Sequence, residues 1–219
     1  MNLQFSKHHR MRTHTKETQN SLTPDLAAEI LKEGNDRFVN NLKADRNLLQ
    51  QVNETMNGQH PFATILSCMD SRTSAELIFD QGLGDIFSIR IAGNILNEDI
   101  LGSMEYATKV VGTKVILVLG HTKCGAIVGA CNHVQLGNLT SLLEKIQPAI
   151  DAEKETTAEH RTGTNPDFVN RVTENNVHLT IAQIKRDSPV IAQLVADEQI
   201  KIIGGIYNVE TGKVTFYEE

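Results

Sequence analysis

Two short motifs hold the residues best suited to chemistry: CMDSR at residues 68–72 and HTKCG at residues 121–125. Together they supply two thiols, Cys68 and Cys124, one imidazole, His121, and an acid and a base two positions apart, Asp70 and Arg72. Thiolate sulfur and imidazole nitrogen are ligands that zinc takes in a tetrahedral shell, and three protein ligands with one open position is the arrangement of a catalytic site. Each motif alone is weak. A core thiol beside an ordinary loop histidine gives the same H-x-x-C letters, and Asp70 with Arg72 also reads as a structural ion pair. Beside a metal the pair has a use. Zinc with two thiolates and a neutral histidine has a formal charge near zero, so it acidifies bound water less strongly than a three-histidine site, and an accessory acceptor helps. Asp70 can accept a hydrogen bond from that water and orient it, while Arg72 keeps the carboxylate ionised and aimed. If the pair opened, Asp70 could swing onto the metal as a fourth ligand and close the site. Gly125 reads as relieving crowding beside the metal.

The two motifs lie far apart in the chain, so the fold must bring them together. FATILSC and KVILVLGH are short apolar runs with the length and composition of buried strands, and each leads directly into one of the motifs. Between them, SAELIFDQG reads as a helix, DIFSIRIAG as a strand and EDILGSMEYATKVVG as a helix, with a short helix following at CGAIVGA. Ile-, Val- and Leu-rich strands separated by helical segments predict parallel βαβ units: a mainly parallel central sheet in an α/β, Rossmann-like three-layer architecture, with helices on both faces. Functional side chains in such sheets gather beyond the carboxyl ends of the strands, where both motifs fall. Thr23, Pro24 and Asp25 start an N-terminal helical arm with Leu26, Ile30, Leu31 and Phe38 at helical spacing. The stretch from there to His60 is polar, and residues 139–197 are mostly helical, interrupted near residues 163–166 and at Pro189. The final KIIGGIYNVETGKVTFYEE predicts two strands joined by a turn at 210–212, the second continuing from Lys213 as a C-terminal edge strand.

The chain has 219 residues, 40% hydrophobic and 22% charged, enough to bury a core without staples. Residues 1–22 read as a disordered basic tail, with His8, His9 and His14 among Lys7, Arg10, Arg12 and Lys16, and residues 23–219 as one domain. No apolar run spans a bilayer and no secretory leader opens the chain, so the expectation is a cytoplasmic protein with no membrane partner. A net charge of −6, no zinc ribbon and no interleaving of aromatic and basic residues argue against a nucleic-acid or zinc-binding module, with the basic tail as its one supporting feature. The missing G-x-G-x-x-G after the first strand argues against a nucleotide site. Three cysteines make no disulfide framework. Cys131 and His133 are read as carried away from the metal by the helix that starts at Gly125, with Cys131 a buried free thiol; His60, His160 and His178 have no partner motif.

CMDSR and HTKCG, complete and in order, resemble the C-x-D-S-R and H-x-x-C-G signature of the β-class carbonic anhydrases. RIAGN at 90–94 and SMEYA at 103–107 extend the resemblance, which runs from about Pro24 to the C-terminus. It implies Zn2+ held by Cys68, His121 and Cys124, an Asp70–Arg72 dyad, and reversible hydration of carbon dioxide to bicarbonate and a proton by attack of a zinc-bound hydroxide. It also implies a homodimer or dimer of dimers with the active site at the subunit interface. Tyr106, which matches the tyrosine of the family's E-Y-A segment, is read with Gly125 as lining the substrate pocket; for Tyr106 a core aromatic on an amphipathic helix is the other reading. Family relatives also act on carbon disulfide or carbonyl sulfide, a choice that pocket access and assembly decide. The chain departs from the family in two places. Counting without gaps from the C-x-D-S-R motif puts Gly82, not Gln81, where many members have a glutamine donor near zinc. The tryptophan of the subgroup with an inhibitory bicarbonate site is absent.

Overall fold

The computed structural model describes residues 12–218. Its centre is a five-stranded sheet made of β1 (Ala63–Ser67), β2 (Ile86–Arg90), β3 (Val115–His121), β4 (Lys201–Tyr207) and β5 (Val214–Glu218), in the order β2-β1-β3-β4-β5. β1 lies parallel to β2 and β3, β3 lies parallel to β4, and β5 runs antiparallel along the outer edge of β4. This is the mainly parallel sheet with a C-terminal edge strand that the sequence predicts. β1 and β3 are buried along their whole length, whereas the edge strand β2 alternates between covered and open positions.

Alternation along β3 divides the core. Val115, Leu117 and Leu119 join Ala27, Ala28 and Leu31 of α2 (Pro24–Val39) and Ala75 and Ile78 of α4 (Ala75–Ile78) on one face. Ile116 and Val118 join α5 (Glu98–Glu105), α9 (Pro166–Asp187) and α10 (Pro189–Ala196) on the other through Met104, Val177, Ile181 and Ile191. A third apolar cluster gathers Ile127, Leu143, Ile146, Phe168 and Val172 around Cys68 and Cys124. Its helices are α6 (Gly125–Cys131), α7 (Gly137–Glu144), α8 (Gln147–Ala152) and the first turns of α9. Helices therefore cover both faces, and the third cluster forms a dry wall behind the two motifs.

Several expectations are corrected. Residues 12–22 are not a disordered tail: α1 (Lys16–Ser21) is closed by a capping box between Thr15 and Thr18, and its buried Gln19 donates Nε2–H to the Pro61 carbonyl at 2.7 Å. His14 packs its ring against Phe62, 5.4 Å between centroids. The remainder of the expected tail, including His8 and His9, lies outside the described residues. The polar stretch before His60 contains α3 (Leu48–Thr55), whose Asn47 cap accepts from the Gln50 N–H at 3.0 Å. Its apolar residues face outward, so no amphipathic pattern toward the core announces it. In α2 the buried face is Ala27, Ala28 and Leu31, and Leu26 is 53% exposed. The helix expected through residue 112 changes to π-type turns at Tyr106–Val111 and ends at Gly112, φ 99°.

Gly34 marks where α2 approaches α4 most closely. A Cβ there would drive into the Phe79 carbonyl oxygen and stand 2.7 Å from its carbon. Gly34→Ala should lower the unfolding free energy by about 3 kcal/mol despite its better helix propensity, because backbone cannot move aside as a flexible side chain can. A urea midpoint equal to wild type would show that the two helices can separate at little cost.

Candidate metal centre

Cys68 stands one residue beyond β1, His121 is the last residue of β3, and Cys124 caps the N-terminus of α6. Because β1 and β3 are paired neighbours, the two motifs emerge side by side from the carboxyl edge of the sheet. Lys123, at φ 56°, turns the chain so that Cys124 comes back toward His121. The ligand atoms of Cys68, His121 and Cys124 lie within 4.8 Å of one another, and all three residues are buried. Cys131 and His133 are not in this cluster. Cys131 is a buried thiol whose pKa burial pushes up to about 11.

The geometry of the three fits a tetrahedral metal. The two sulfurs are 3.9 Å apart; zinc–sulfur bonds of about 2.3 Å at a tetrahedral angle place sulfurs about 3.8 Å apart. His121 Nδ1 lies 2.9 Å from the Thr122 carbonyl, so this nitrogen carries the proton and donates it. Nε2 is then a bare lone pair, buried and without a hydrogen-bond partner among the described residues. A buried polar atom without a partner is costly, and a cation between the three ligands satisfies it. The hydrogen bond from the Cys124 S–H holds the Cys68 pKa down, and the Cys68 sulfur pushes that of Cys124 up. A divalent cation held by the two sulfurs would favour both as thiolates.

Beside the cluster, Arg72 grips Asp70 as a fork. Its Nε donates to Oδ1 at 2.9 Å and its Nη2 to Oδ2 at 2.7 Å, and the Arg72 backbone N–H also reaches Oδ1 at 2.9 Å. Hydrogen bonds from the Arg72 side chain hold the Asp70 carboxyl well below the usual carboxylate range. Nη2 also reaches the Lys123 carbonyl at 3.3 Å, which ties the first motif to the second. Asp70 rests on Arg72, and the metal-ligand cluster does not include it.

A sequence model of the family described as carbonic anhydrase matches residues 63–214, which contain both motifs. Carbonic anhydrase 2 of Mycobacterium tuberculosis is 35% identical over 201 residues, covering 87% of this chain and 91% of that protein. The carbonic anhydrase of Mycolicibacterium smegmatis is 33% identical over 198 residues, covering 87% and 92%. The solved β-carbonic anhydrase CcaA superposes with a TM-score of 0.66 at 26% identity, covering 78% of each chain. The chain belongs to the β-carbonic anhydrases.

As a carbonic anhydrase, the chain uses more residues at this site than its two motifs contain. Arg90, paired in register with Ser67, donates from Nε to the Cys68 carbonyl at 3.2 Å and from Nη2 to the Asp70 carbonyl at 2.5 Å. Thr73 Oγ1 lies 2.9 Å from each of the same two carbonyls. The Gly93 N–H donates to Cys68 Sγ at 3.4 Å. Arg90 and Gly93 belong to RIAGN, which carries the family resemblance but is assigned no task by its letters. Thr73 directly follows CMDSR. Gly125 opens α6 directly after Cys124, and apart from its chain neighbours a Cβ there would meet no heavy atom within 4 Å. Tyr106 is not a core aromatic. It is 54% exposed, its ring is 6.4 Å from that of Phe87, and it lines a groove between β2 and α5 rather than the cluster itself. Gln81 and Gly82 lie near the amino end of the sheet, where the Asp85 carbonyl accepts from the Phe62 N–H just before β1. Gln81 Nε2 is engaged by the Phe79 carbonyl at 2.7 Å, about 17 Å of strand from the sheet edge that carries the cysteines.

Proposed function

We propose that Cys68, His121 and Cys124 hold Zn2+ and that the chain hydrates carbon dioxide reversibly to bicarbonate and a proton, with Asp70 and Arg72 orienting the attacking water. The observation that carries this reading is the unpartnered lone pair of His121 Nε2 facing two thiols at tetrahedral spacing. Zinc held there supplies a Lewis acid that brings the ionisation of water toward neutral pH. The Nδ1–H of His121, donated to the Thr122 carbonyl, fixes the tautomer and leaves Nε2 to hold the metal. Asp70 stays ionised because Arg72 compensates its charge, and it keeps lone pairs free to accept a hydrogen bond from the water. That bond fixes the direction in which the water oxygen meets the substrate carbon, which is the orientation contribution to the rate. The proton released passes to solvent. The same bidentate grip holds the site open, since Asp70 reaches the metal as a fourth ligand only by leaving Arg72.

The chain is also read as a homo-oligomer. Tyr106 is exposed beside the outer edge of β2, and two solved β-carbonic anhydrases from Sordaria macrospora are described as tetrameric. The protein should turn over carbon dioxide with about one zinc per chain, at a solution mass that is a multiple of 24.2 kDa. Stopped-flow hydration, metal analysis and light scattering on one sample test all of this. A zinc-loaded protein inactive across the pH range would remove the hydration reading, and a mass of 24.2 kDa would remove the oligomer.

A further inference from the structure

The sulfur of Cys68 is held by a backbone group whose own support comes from α9, more than 80 residues further along the chain. Gly93, which donates its N–H to that sulfur at 3.4 Å, sits at φ 69°, ψ 14° in the turn after β2. The left-handed conformation favours glycine, and a Cβ would crowd Ile146 Cδ1 at 2.9 Å and Ala126 Cβ at 3.3 Å. Glycine has the widest conformational freedom of any residue, so a glycine N–H keeps a fixed direction only if other contacts hold the turn. One end of the turn is closed by the Asn94 N–H donating to the Ile91 carbonyl at 3.0 Å. The Gly93 carbonyl is held by Asn176 of α9, whose Nδ2 donates to it at 2.9 Å.

Asn176 is 4% exposed, on a helix face that otherwise packs Val172, Val177 and Ile181 against the sheet and its loops. A polar side chain in such a place is costly unless bonded, and an apolar residue would pack there without that cost. Its bond to Gly93 is what an amide at this position provides. Neighbouring peptide planes are linked only through φ and ψ, so holding the Gly93 carbonyl restrains the direction of the Gly93 N–H.

We propose that Asn176 is a positioning residue of the metal centre: by anchoring the Gly93 carbonyl it aims the Gly93 N–H at Cys68 Sγ and so sets the donor strength and orientation of that ligand. This rests on the zinc reading above. Hydrogen bonds around metal ligands tune affinity by roughly 10- to 100-fold, and an N–H donated to a thiolate withdraws electron density from the sulfur.

The test compares Asn176→Leu with Asn175→Leu. Asn175 is the adjacent residue on the same helix and makes a similar bond, Nδ2 to the Ala149 carbonyl at 3.3 Å, to a group that touches no ligand. With cobalt(II) bound to the whole protein, Asn176→Leu should move the thiolate-to-metal charge-transfer band to lower energy, because the sulfur loses its hydrogen bond, and weaken zinc about 10- to 100-fold in competition with a chelator, because the ligand loses its fixed direction. Asn175→Leu should leave both at wild-type values. If Asn176→Leu does not fold, Asn176→Ser serves in the same comparison. An unchanged band and affinity in the Asn176 variant, or equal changes in both variants, would make Asn176 a packing residue and overturn the proposal. A wild-type protein that binds cobalt with no thiolate band would instead overturn the zinc centre itself, and this inference with it.

Discussion

Cys124→Ser should leave the purified protein with less than about a tenth of an equivalent of zinc and lower kcat/KM for carbon dioxide hydration by at least about 1,000-fold. The site has three convergent ligand atoms, so losing one leaves two, and water cannot supply the missing charge. Serine at this position keeps the volume but is not ionised at neutral pH, and a cation held by one thiolate and one imidazole is poorly neutralised. The fold should survive. Cys124 is 1% exposed at the start of α6, and serine is a good residue at a helix N-terminus, so the secondary structure should match wild type by circular dichroism. Zinc retained at one equivalent with full turnover would place the metal elsewhere.

Asp70→Asn should separate chemistry from binding. The Asp70 side chain is not among the three clustered ligands, so zinc content should stay near one equivalent while kcat/KM falls about 100- to 1,000-fold. Asparagine keeps the shape but loses the charge and half of the acceptor capacity, so it can no longer receive both arms of the Arg72 fork and the water together. Arg72→Ala should cost a comparable factor by a different route: it releases a carboxylate that can then approach the metal. Because the two residues act as one unit, the double variant should be no slower than the worse single variant. Additive losses would mean that Asp70 and Arg72 work independently. Wild-type turnover in Asp70→Asn would remove the carboxylate from the reaction.

The chemistry of the centre was readable in the letters because ligand identity is a property of side chains. Few residue types bind zinc, and CMDSR and HTKCG place Cys68, His121 and Cys124 at the ends of two apolar runs, with Asp70 and Arg72 beside them. Those runs were readable as neighbouring strands because burial on both faces removes polar residues from β1 and β3. Where an element makes its contacts differently, the letters mislead. The apolar residues of α3 point outward, α1 is anchored by polar side chains, the buried Gln19 amide and the Lys16 ammonium, and the helix begun by α5 changes its winding at Tyr106, so none of the three follows from periodicity.

From the sequence alone follow the donor set, the two loops that carry it, and the parallel strands that bring those loops together. The tertiary structure decided what holds the donors still: Arg90 and Thr73 on the carbonyls of the first motif, the Gly93 N–H on Cys68, and Asn176 behind Gly93. The physical reason is that these contacts involve backbone groups, which nearly every residue carries alike. A thiol announces its chemistry by its type, but a carbonyl or an N–H acquires a role only when folding sets a particular side chain or sulfur against it.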